Sequence, residues 1–399
     1  MVASPRWTLT IMLAIQALVA AAALTVPVLA PVLGPVFNVP GEFVGVYVAL
    51  IYVGAMLGSL TAGGWIIRFG AVRVSQIGLA LCGLGLACNL FAMPVMAIVG
   101  AVLIGCGYGP VTPASSHLLI KTTPPQRLSF VFSVKQTGVP LGGILAGLCA
   151  PKLNEWVGWQ GVLLAVVVAC AACIGAAELF RRELDSDRRP HHSIWAGSLR
   201  KPLALVFSRR PLALLAGSSL TFSAVQLSFT AYLVIYLHDS LGYSLVAAGV
   251  MLSVAQAAGV LGRITWGWFS DRFLGAVAML TVLAMFMGVG GWALALLPQG
   301  VSSLVLGVIL IVFGSAAVGW NGVFLAEVAR QAPVDQVGLA TGGSLTCTFL
   351  GVVLGPPLFG AIVSMSASYR LAFAVIVLPA VLFGVLLILQ RRHFSIARK

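Results

Sequence analysis

Charged residues are scarce in this sequence. Only 8% of its 399 residues are Asp, Glu, Lys or Arg, and just 10 are acidic. A water-soluble domain carries about a quarter of its residues as charged side chains, which cover its surface. The shortage therefore excludes an ordinary soluble fold of this size. It indicates a surface that faces an apolar medium, and the lipid bilayer is the obvious one.

Motifs of enzymes and of ATP-driven proteins are also missing. We find no paired catalytic acids, no His-Glu-x-x-His, no Gly-x-Ser-x-Gly and no nucleotide-binding Gly-x-x-x-x-Gly-Lys-Ser/Thr loop. All seven cysteines lie in apolar runs, and the Cys170-Ala-Ala-Cys173 pair has no His or acidic neighbour. We therefore predict no enzyme, no metal site, no cofactor and no disulfide framework. The net charge of +13 does not predict nucleic-acid binding, because the basic residues form short clusters between apolar runs.

Long apolar runs dominate what is present, and 60% of the residues are hydrophobic. A membrane-spanning helix needs roughly 20 apolar residues. Long apolar stretches, most of them free of charge and divided where Pro and Gly interrupt them, predict twelve such helices. Their approximate bounds are 7–30, 42–68, 73–121 (two helices, divided at Met93-Pro94), 128–151, 156–178, 211–237, 243–266, 273–326 (two helices, divided at Leu297–Gly300), 337–363 and 370–390.

The 23 Lys and Arg residues are distributed very unevenly over the ends of these helices. Only Lys152 and Arg370 fall at one set of ends, and only Lys135 and Arg263 fall inside a span. All the others lie at the opposite set, which we call the basic ends. Basic residues favour the cytoplasmic side. We therefore predict a multi-pass protein of the bacterial inner membrane with both termini in the cytoplasm.

The chain divides at its only sizeable hydrophilic stretch, residues 181–210. We predict a six-helix bundle over 1–180, a solvated cytoplasmic linker over 181–210 and a second six-helix bundle over 211–399. The fold class is then an all-α polytopic membrane protein with two pseudo-symmetric six-helix bundles. Such repeated bundles are typical of secondary transporters, which bind their solute near the bilayer midplane where the repeats meet.

An internal repeat supports this division. Gly45–Ser59 in the second predicted helix aligns with Gly249–Arg263 in the eighth, and the alignment continues without a gap to Arg68-Phe69 and Arg272-Phe273. The ends of the fourth and tenth helices also match. One reads Lys-Thr-Thr-Pro from Lys121, and the other reads Arg-Gln-Ala-Pro from Arg330.

A family resemblance follows from the loop after the eighth helix. Its sequence, Gly267-Trp-Phe-Ser-Asp271-Arg272-Phe273, resembles the Gly-x-x-x-Asp-Arg signature of the major facilitator superfamily. The first-half copy, from Gly63 to Arg73, has Ile67 where the acidic residue is expected. The resemblance implies a cytoplasmic latch, whose gating residues here would be Asp271, Arg272, Glu327, Arg330 and Arg68. Positive-inside anchoring is the simpler alternative.

Lys135 and Arg263 are the two charges predicted to lie inside the membrane. Each is roughly 12 Å from the basic end of its helix, at 1.5 Å per residue. Because a charge in hydrocarbon is costly, such residues face a cavity and mark a function. Two cations without a nearby acid favour an anionic substrate, and a carboxylate suits the Arg fork. Alternatively, Lys135 bonds carbonyls freed near Pro140, and Arg263 reaches Asp271 or Glu327.

In the resembled fold the fifth and eighth helices pack against each other, so these two cations are expected to face one cavity. An arginine in this part of the eighth helix, followed four residues later by Gly267, also resembles the oxalate/formate and monocarboxylate branches of the superfamily. Those oxalate porters place a lysine in the eleventh helix, where this chain has only Ser and Thr among its polar residues: Thr341, Ser344, Thr346 and Thr348.

Uncharged polar residues extend the candidate substrate site. A helical spacing of four, three and four places Ser219, Ser223, Gln226 and Thr230 on one face of the seventh helix. Helix–helix hydrogen bonding is the alternative to cavity lining. The other substrate-binding candidates are polar or aromatic residues inside predicted spans: Tyr52, Tyr108, Thr112, Gln256, Trp320 and Asn321, with Gln16 a further scattered polar residue. His117 or Glu327 is the candidate carrier of a coupling proton.

The sequence thus predicts a secondary active transporter that moves a small organic anion by alternating access, through symport with protons or through exchange. Its expected partners are the anion, protons and the lipid bilayer, and we expect a monomer. An efflux transporter for drug-like molecules is the alternative within transport, although exporters of drug cations need an acid at depth that this chain lacks. A receptor or sensor on the same fold stays open.

Overall fold

The computed structural model describes residues 5–122, 131, 134–191, 200–333 and 336–395, and the regular elements in these ranges are all helical. The first half contains α1 (Pro5–Val28), α2 (Ala30–Phe37), α3 (Val44–Phe69), α4 (Ala71–Asn89), α5 (Pro94–Thr122) and α6 (Gly138–Leu184). The second half contains α7 (Arg200–Ser208), α8 (Arg210–Ile235), α9 (Leu245–Phe269), α10 (Ala276–Leu296), α11 (Ser303–Gly319), α12 (Asn321–Gln331), α13 (Val337–Ser366), α14 (Tyr369–Ile376), α15 (Leu378–Leu389) and α16 (Arg392–Ser395).

Within the described residues, eleven helical stretches are long and apolar enough to cross a membrane. One of them, Val134–Leu184, has 51 residues. As a straight helix it would measure about 77 Å, more than twice the hydrocarbon thickness. Gly158 interrupts it with a φ of 68° and a ψ of 172°, a conformation that only glycine adopts easily. The stretch is therefore long enough for two spans, which brings the total in the described part of the chain to the predicted twelve.

Several boundaries differ from the prediction. The break between the fifth and sixth spans comes at Gly158, whereas the sequence placed it around Lys152. The sixth span continues to Leu184 instead of ending near residue 178, so Arg181 and Arg182 are helical. Part of the predicted linker forms the helix α7. The predicted start of the fifth span and the middle of the linker, 192–199, fall outside the described residues.

Serine caps begin three helices at the ends opposite the basic ends. The hydroxyls of Ser244, Ser302 and Ser368 accept hydrogen bonds from backbone N–H groups three residues later, at the starts of α9, α11 and α14. A capping hydroxyl satisfies one of the four free N–H groups of a helix start. These helices therefore begin where short polar loops provide a cap.

The described chain forms two compact units, one comprising residues 1–41 and 47–197, the other residues 42–46 and 198–399. The short piece 42–46 belongs with the second unit because the hydroxyl of Tyr232 accepts a hydrogen bond from the Gly45 N–H, at 3.0 Å, and donates one to the Glu42 carbonyl. Tyr232 is fully buried. Its two bonds fix this piece at the start of α3.

Matching glycine contacts show the internal repeat in three dimensions. In the first unit, a Cβ on Gly105 of α5 would overlap the backbone of Ile51 in α3. In the second, a Cβ on Gly314 of α11 would overlap the backbone of Ala255 in α9. Ile51 and Ala255 occupy equivalent positions of the aligned repeat. Close approach through small residues is how membrane helices gain packing energy, and both units use it at the same place.

Candidate functional site

Arg263 lies on α9, beside an interruption in the tenth span. Its Nε donates a hydrogen bond to the Val318 carbonyl at 3.1 Å. Val318 immediately precedes Gly319, the last residue of α11, and α12 begins after Trp320. A Cβ on Gly319 would lie 3.3 Å from the Arg263 nitrogen, so the two backbones are in close contact. The interruption is the single residue Trp320, whose backbone stays helical (φ −69°, ψ −25°), so the half-buried Arg263 side chain lies beside a nearly continuous span.

A polar and aromatic cluster lies at the same interruption. The Gln226 Oε1 of α8 accepts hydrogen bonds from Trp320 Nε1 at 3.0 Å and from Asn321 Nδ2 at 3.4 Å. The Trp320 ring meets Phe222 edge to face at 5.6 Å. Trp320 is fully buried, whereas Gln226 and Asn321 are half-buried. The structure therefore brings together three residues that the sequence selected separately, and two of them retain accessible amide groups.

The rest of the polar stripe on α8 faces the protein backbone. The hydroxyls of Ser219 and Thr230 are buried and donate to carbonyls of their own helix, Ala216 and Gln226. Ser223 donates to Leu220 and, across to α13, to the Thr348 carbonyl at 2.8 Å. This is the arrangement of the helix–helix alternative. Gln256 of α9 is likewise buried. A contact of these four side chains with substrate stays a prediction.

Lys135 of the first unit is 1% exposed and belongs to the largest fully buried side chains of the described chain. An ammonium group is stable at such burial only with compensating polar interactions. The two mid-span cations therefore differ in this structure. Arg263 keeps an accessible surface, and Lys135 is buried.

Gln16 of α1 is a polar residue that we did not select from the sequence as a principal site candidate. Its side chain is fully buried, and its Oε1 accepts a hydrogen bond from Thr112 of α5 at 3.2 Å. Within the described residues its Nε2 has no hydrogen-bond partner. Near it, Tyr52 and Tyr108 meet edge to face at 5.8 Å. A glutamine in the middle of an apolar span was the available signal, because a buried amide in a membrane must be satisfied.

Ion pairs join the basic ends of the second unit. The Arg330 guanidinium lies 2.8 Å from Asp271 Oδ1 and 3.4 Å from Glu327 Oε2. Glu327 is 4% exposed and also accepts a hydrogen bond from Gln331 Nε2 at 2.7 Å. Arg272 is exposed beside them. These contacts link α12 to the loop after α9, as the signature motif implies, and the latch role itself stays a prediction.

The basic ends of the first unit are joined differently. His117 Nε2 and Lys121 Nζ of α5 lie 2.8 and 3.0 Å from the carboxylate of Asp187, which follows α6. Arg68 is exposed at the end of α3, with its guanidinium 5.4 Å from the centre of the Phe69 ring. His117 is thus part of an ion-pair cluster at the surface. A role for it in proton coupling stays a prediction.

Comparison with known proteins settles the family. The model of the Major Facilitator Superfamily matches residues 10–342. The chain belongs to this superfamily. The superfamily fold is also seen in solved structures: a nucleoside transporter, NupG, has a TM-score of 0.76 at 16% identity and covers 97% of this chain and 99% of its own. A bacterial homologue of the human lysosomal transporter Spinster has a TM-score of 0.72, also at 16% identity, over 99% of this chain and 97% of its own.

Several curated transporters share about a quarter of their aligned residues with this chain. An uncharacterized MFS-type transporter of Mycobacterium tuberculosis is 25% identical over 68% of this chain and 59% of its own length. A gentisate transporter of Corynebacterium glutamicum is 25% identical over 88% of this chain and 78% of its own length. A gallate transporter of Pseudomonas putida is 26% identical, over 82% and 79% respectively. The chain thus spans about three-fifths of the length of the first of these relatives.

These findings confirm the predicted fold class, a twelve-helix superfamily member that crosses the membrane many times. They also agree with the predicted resemblance to branches of the superfamily that handle organic anions, since two of these relatives are named for aromatic acids.

Proposed function

We propose that this superfamily member is a secondary transporter for a small organic anion, with aromatic carboxylates as its substrate class. We place it in the bacterial inner membrane, with alternating access coupled to protons or to exchange. The observation that carries the proposal is the position of Arg263, a half-buried cation at the interruption between α11 and α12. The names of the gentisate and gallate transporters support the substrate class.

Arginine at this depth suits a carboxylate for a physical reason. A guanidinium keeps its charge at every relevant pH and offers parallel N–H donors that match the two oxygens of a carboxylate. Keeping such a group inside a membrane span costs a few kcal/mol even on lenient scales. The hydrogen bond to Val318 holds its Nε in place and so sets the direction of the planar fork.

The neighbouring cluster suits the remainder of an aromatic acid. Gln226 and Asn321 present amide groups at the same interruption, and these can bond ring substituents such as hydroxyls. The Trp320 and Phe222 rings behind them make an apolar boundary. Pockets for small ligands combine such apolar walls with a few oriented polar groups. We infer that the carboxylate lies at Arg263 and the ring near Gln226.

Uptake into proteoliposomes tests this proposal. Benzoate is the probe, and Arg263→Gln is the variant that removes the charge. We expect the variant to lose at least about 30-fold in uptake, since loss of one partner of a desolvated charge pair costs about 2–5 kcal/mol. Arg263→Lys should retain part of the activity, because it keeps the charge and loses the fork.

Thr265→Ala is the matched control. Thr265 lies on the same helix, is exposed, and bonds only the Leu261 and Gly262 carbonyls of its own helix. Its variant should transport like the wild type. Wild-type uptake by Arg263→Gln would refute the anion site. A proton ionophore applied to the wild type then distinguishes the two coupling modes: it stops accumulation driven by protons and leaves exchange of internal for external benzoate intact.

A further inference from the structure

The two basic ends of the molecule differ in one residue of the repeat. In the second unit, Arg330 at the end of α12 pairs with Asp271, which follows α9. The equivalent base of the first unit is Lys121 at the end of α5, and the residue equivalent to Asp271 is Ile67. The first unit therefore has the base of the pair and lacks its local acid.

A carboxylate from a different part of the chain pairs with Lys121. Asp187 is the third residue after α6, in the turn that follows this helix, and its Oδ1 is 3.0 Å from Lys121 Nζ. The same ammonium donates to the Leu184 carbonyl at 3.1 Å and to Ser186 Oγ at 3.3 Å. His117, one turn earlier on α5, contacts the other oxygen of Asp187 at 2.8 Å.

Asp185 caps α4 from outside that helix. Its two carboxylate oxygens accept hydrogen bonds from the N–H groups of Val72 at 2.8 Å and Arg73 at 3.0 Å. The residue before α4, Gly70, has no side chain for this role, and a Cβ there would overlap the Asp185 carboxylate. A carboxylate at a helix start satisfies free N–H groups and interacts favourably with the helix dipole. Asp185 is only 4% exposed, so this cap is shielded from water.

The same segment is also bound to α3. The Arg189 N–H donates to the Ile67 carbonyl at 2.6 Å, at the position where the acid of the signature motif is missing. Residues Leu184–Arg189, which we call the clasp, thus contact the basic ends of α3, α4 and α5. Three helices are held by six consecutive residues of the segment that the sequence assigned to a solvated linker.

We propose that the clasp replaces the missing acid of the first half, and that Asp185 and Asp187 are positioning residues of the transport cycle. They keep the basic ends of α3, α4 and α5 together as one group. In the second unit, the Asp271–Arg330 pair links the residues after α9 to α12 in a similar way. This goes beyond the choice of substrate. It assigns a conformational role to the first residues of the connection between the two halves.

The two carboxylates should differ in importance. Lys121 and Asp187 are 35% and 41% exposed in their side chains, and ion pairs this exposed contribute little to stability. Asp185 is buried and bonds two backbone N–H groups that have no other cap. A buried donor that loses its acceptor is costly. We therefore expect Asp185 to be essential to the clasp and Asp187 to adjust it.

Hydrogen exchange of the purified full-length protein tests the first carboxylate without any substrate. In Asp185→Ala, the amides at the start of α4, including Val72 and Arg73, should exchange at least tenfold faster than in the wild type. Asp185→Asn keeps one acceptor oxygen, serves if the alanine variant does not fold, and should show a smaller increase. Glu155→Gln is the control, because Glu155 forms an exposed ion pair with Lys152 away from the clasp and its loss should leave these amides unchanged. Unchanged exchange in both Asp185 variants would overturn the proposal.

A rescue experiment tests the replacement itself. Asp187→Asn should slow benzoate counterflow in proteoliposomes by threefold to tenfold. Adding Ile67→Asp should return the rate to within twofold of the wild type, because it restores the acid at the repeat position that pairs with the helix-end base in the second unit. A purely structural defect would not respond to a charge placed at that position. Absence of rescue would overturn the replacement. If the wild type moves no aromatic carboxylate, the proposed function fails, and the hydrogen-exchange result still decides on the clasp.

Discussion

Ion pairs connect the basic ends in both halves of this molecule, but their carboxylates come from different positions in the chain. In the second half, the acid is Asp271 of the signature motif, just after α9, and the base is Arg330 near the end of α12. In the first half, the base Lys121 is retained and the acid comes from Asp187, beyond α6. Both halves therefore have an ion pair at this helix end. The position in the chain that supplies the carboxylate differs between them.

The cations at depth also differ between the halves. Arg263 is half-buried and donates to a carbonyl at a helix interruption. Lys135 is enclosed, with only 1% of its surface exposed. If both bind the anion during the cycle, they do so from different starting states. The proposed substrate contact at Arg263 would use a side chain that is already partly accessible, whereas a contact at Lys135 would require its surroundings to open.

Neutralising Arg263 and Lys135 should therefore have different consequences for uptake and stability. The largest effect that we expect is that of Arg263→Gln on uptake. Arg263→Gln should abolish benzoate uptake and leave thermal stability in detergent close to that of the wild type, because the side chain is half-exposed. Equal loss of stability and of uptake would show that Arg263 is a structural residue.

Lys135→Gln should affect both properties. Hydrogen bonds to charged groups contribute about 1.5–3 kcal/mol, so uptake should fall by about 10-fold or more and the unfolding midpoint should also decrease. The Arg263→Gln and Lys135→Gln variants are compared in one series of uptake assays and melting curves. A Lys135 variant that melts like the wild type and retains full uptake would remove this residue from the site.

The ion pair of the second half gives the next effect. Arg330→Gln removes the partner of Asp271 and leaves the buried Glu327 with its hydrogen bond from Gln331 alone. Since Arg330 is 41% exposed, we expect a loss of only about 1 kcal/mol, or roughly fivefold in counterflow rate. The swap Asp271→Arg with Arg330→Asp should recover only part of it, because it restores the pair at position 271 but places a second carboxylate beside Glu327. A swap that recovers nothing would indicate that the pair acts through other contacts.

The smallest effect that we expect is a dependence of thermal stability on pH, which should differ between the two carboxylates of the clasp. Burial raises the pKa of Asp185, and the bonds from Val72 and Arg73 offset only part of this. Partial burial also raises the pKa of Asp187, but hydrogen bonds from His117 and Lys121 outweigh it and hold that pKa below its ordinary value. The two groups therefore respond to acid in opposite directions.

The sign follows from proton linkage. A raised pKa contributes stability that is complete below the ordinary value of 3.8 and is lost as pH rises through the folded-state pKa. A lowered pKa contributes stability that is complete above that value and is lost as pH falls through the folded-state pKa. Melting curves from pH 3.5 to 7 should thus show the advantage of wild type over Asp185→Asn shrinking with rising pH. The advantage over Asp187→Asn should grow instead, and parallel curves would contradict this account.

Much of the fold could be predicted because it depends on local composition. Apolar runs with breaks at Pro94 and near Gly300 predicted the helices, and the resemblance to the signature motif pointed to Asp271 and Arg330 as members of one latch. The exact break at Gly158 could not be found, because the polar residues Lys152, Asn154 and Glu155 placed the predicted break just before it. Its backbone conformation became visible only in the structure.

The site was less predictable because it depends on contacts between distant residues. Asp185 lies 113 residues from Val72, and no spacing rule joins them. The hydroxyls of Ser219, Ser223 and Thr230 share one helix face, as the spacing predicts, yet periodicity does not show whether that face meets carbonyls or a solute. Gln226, Trp320 and Asn321 were each selected for being polar or aromatic within a span. Their common hydrogen bonds required the structure.

Ligand binding to the purified protein tests the central claim most directly, with benzoate and its neutral analogue benzamide compared on wild type, Arg263→Gln and Thr265→Ala. The account predicts that wild type and Thr265→Ala bind benzoate and discriminate strongly against benzamide. Arg263→Gln should lose that discrimination, because its binding of benzoate falls by about 30-fold or more while that of benzamide hardly changes. Equal preference for benzoate in Arg263→Gln and wild type would contradict the claim that Arg263 binds the carboxylate.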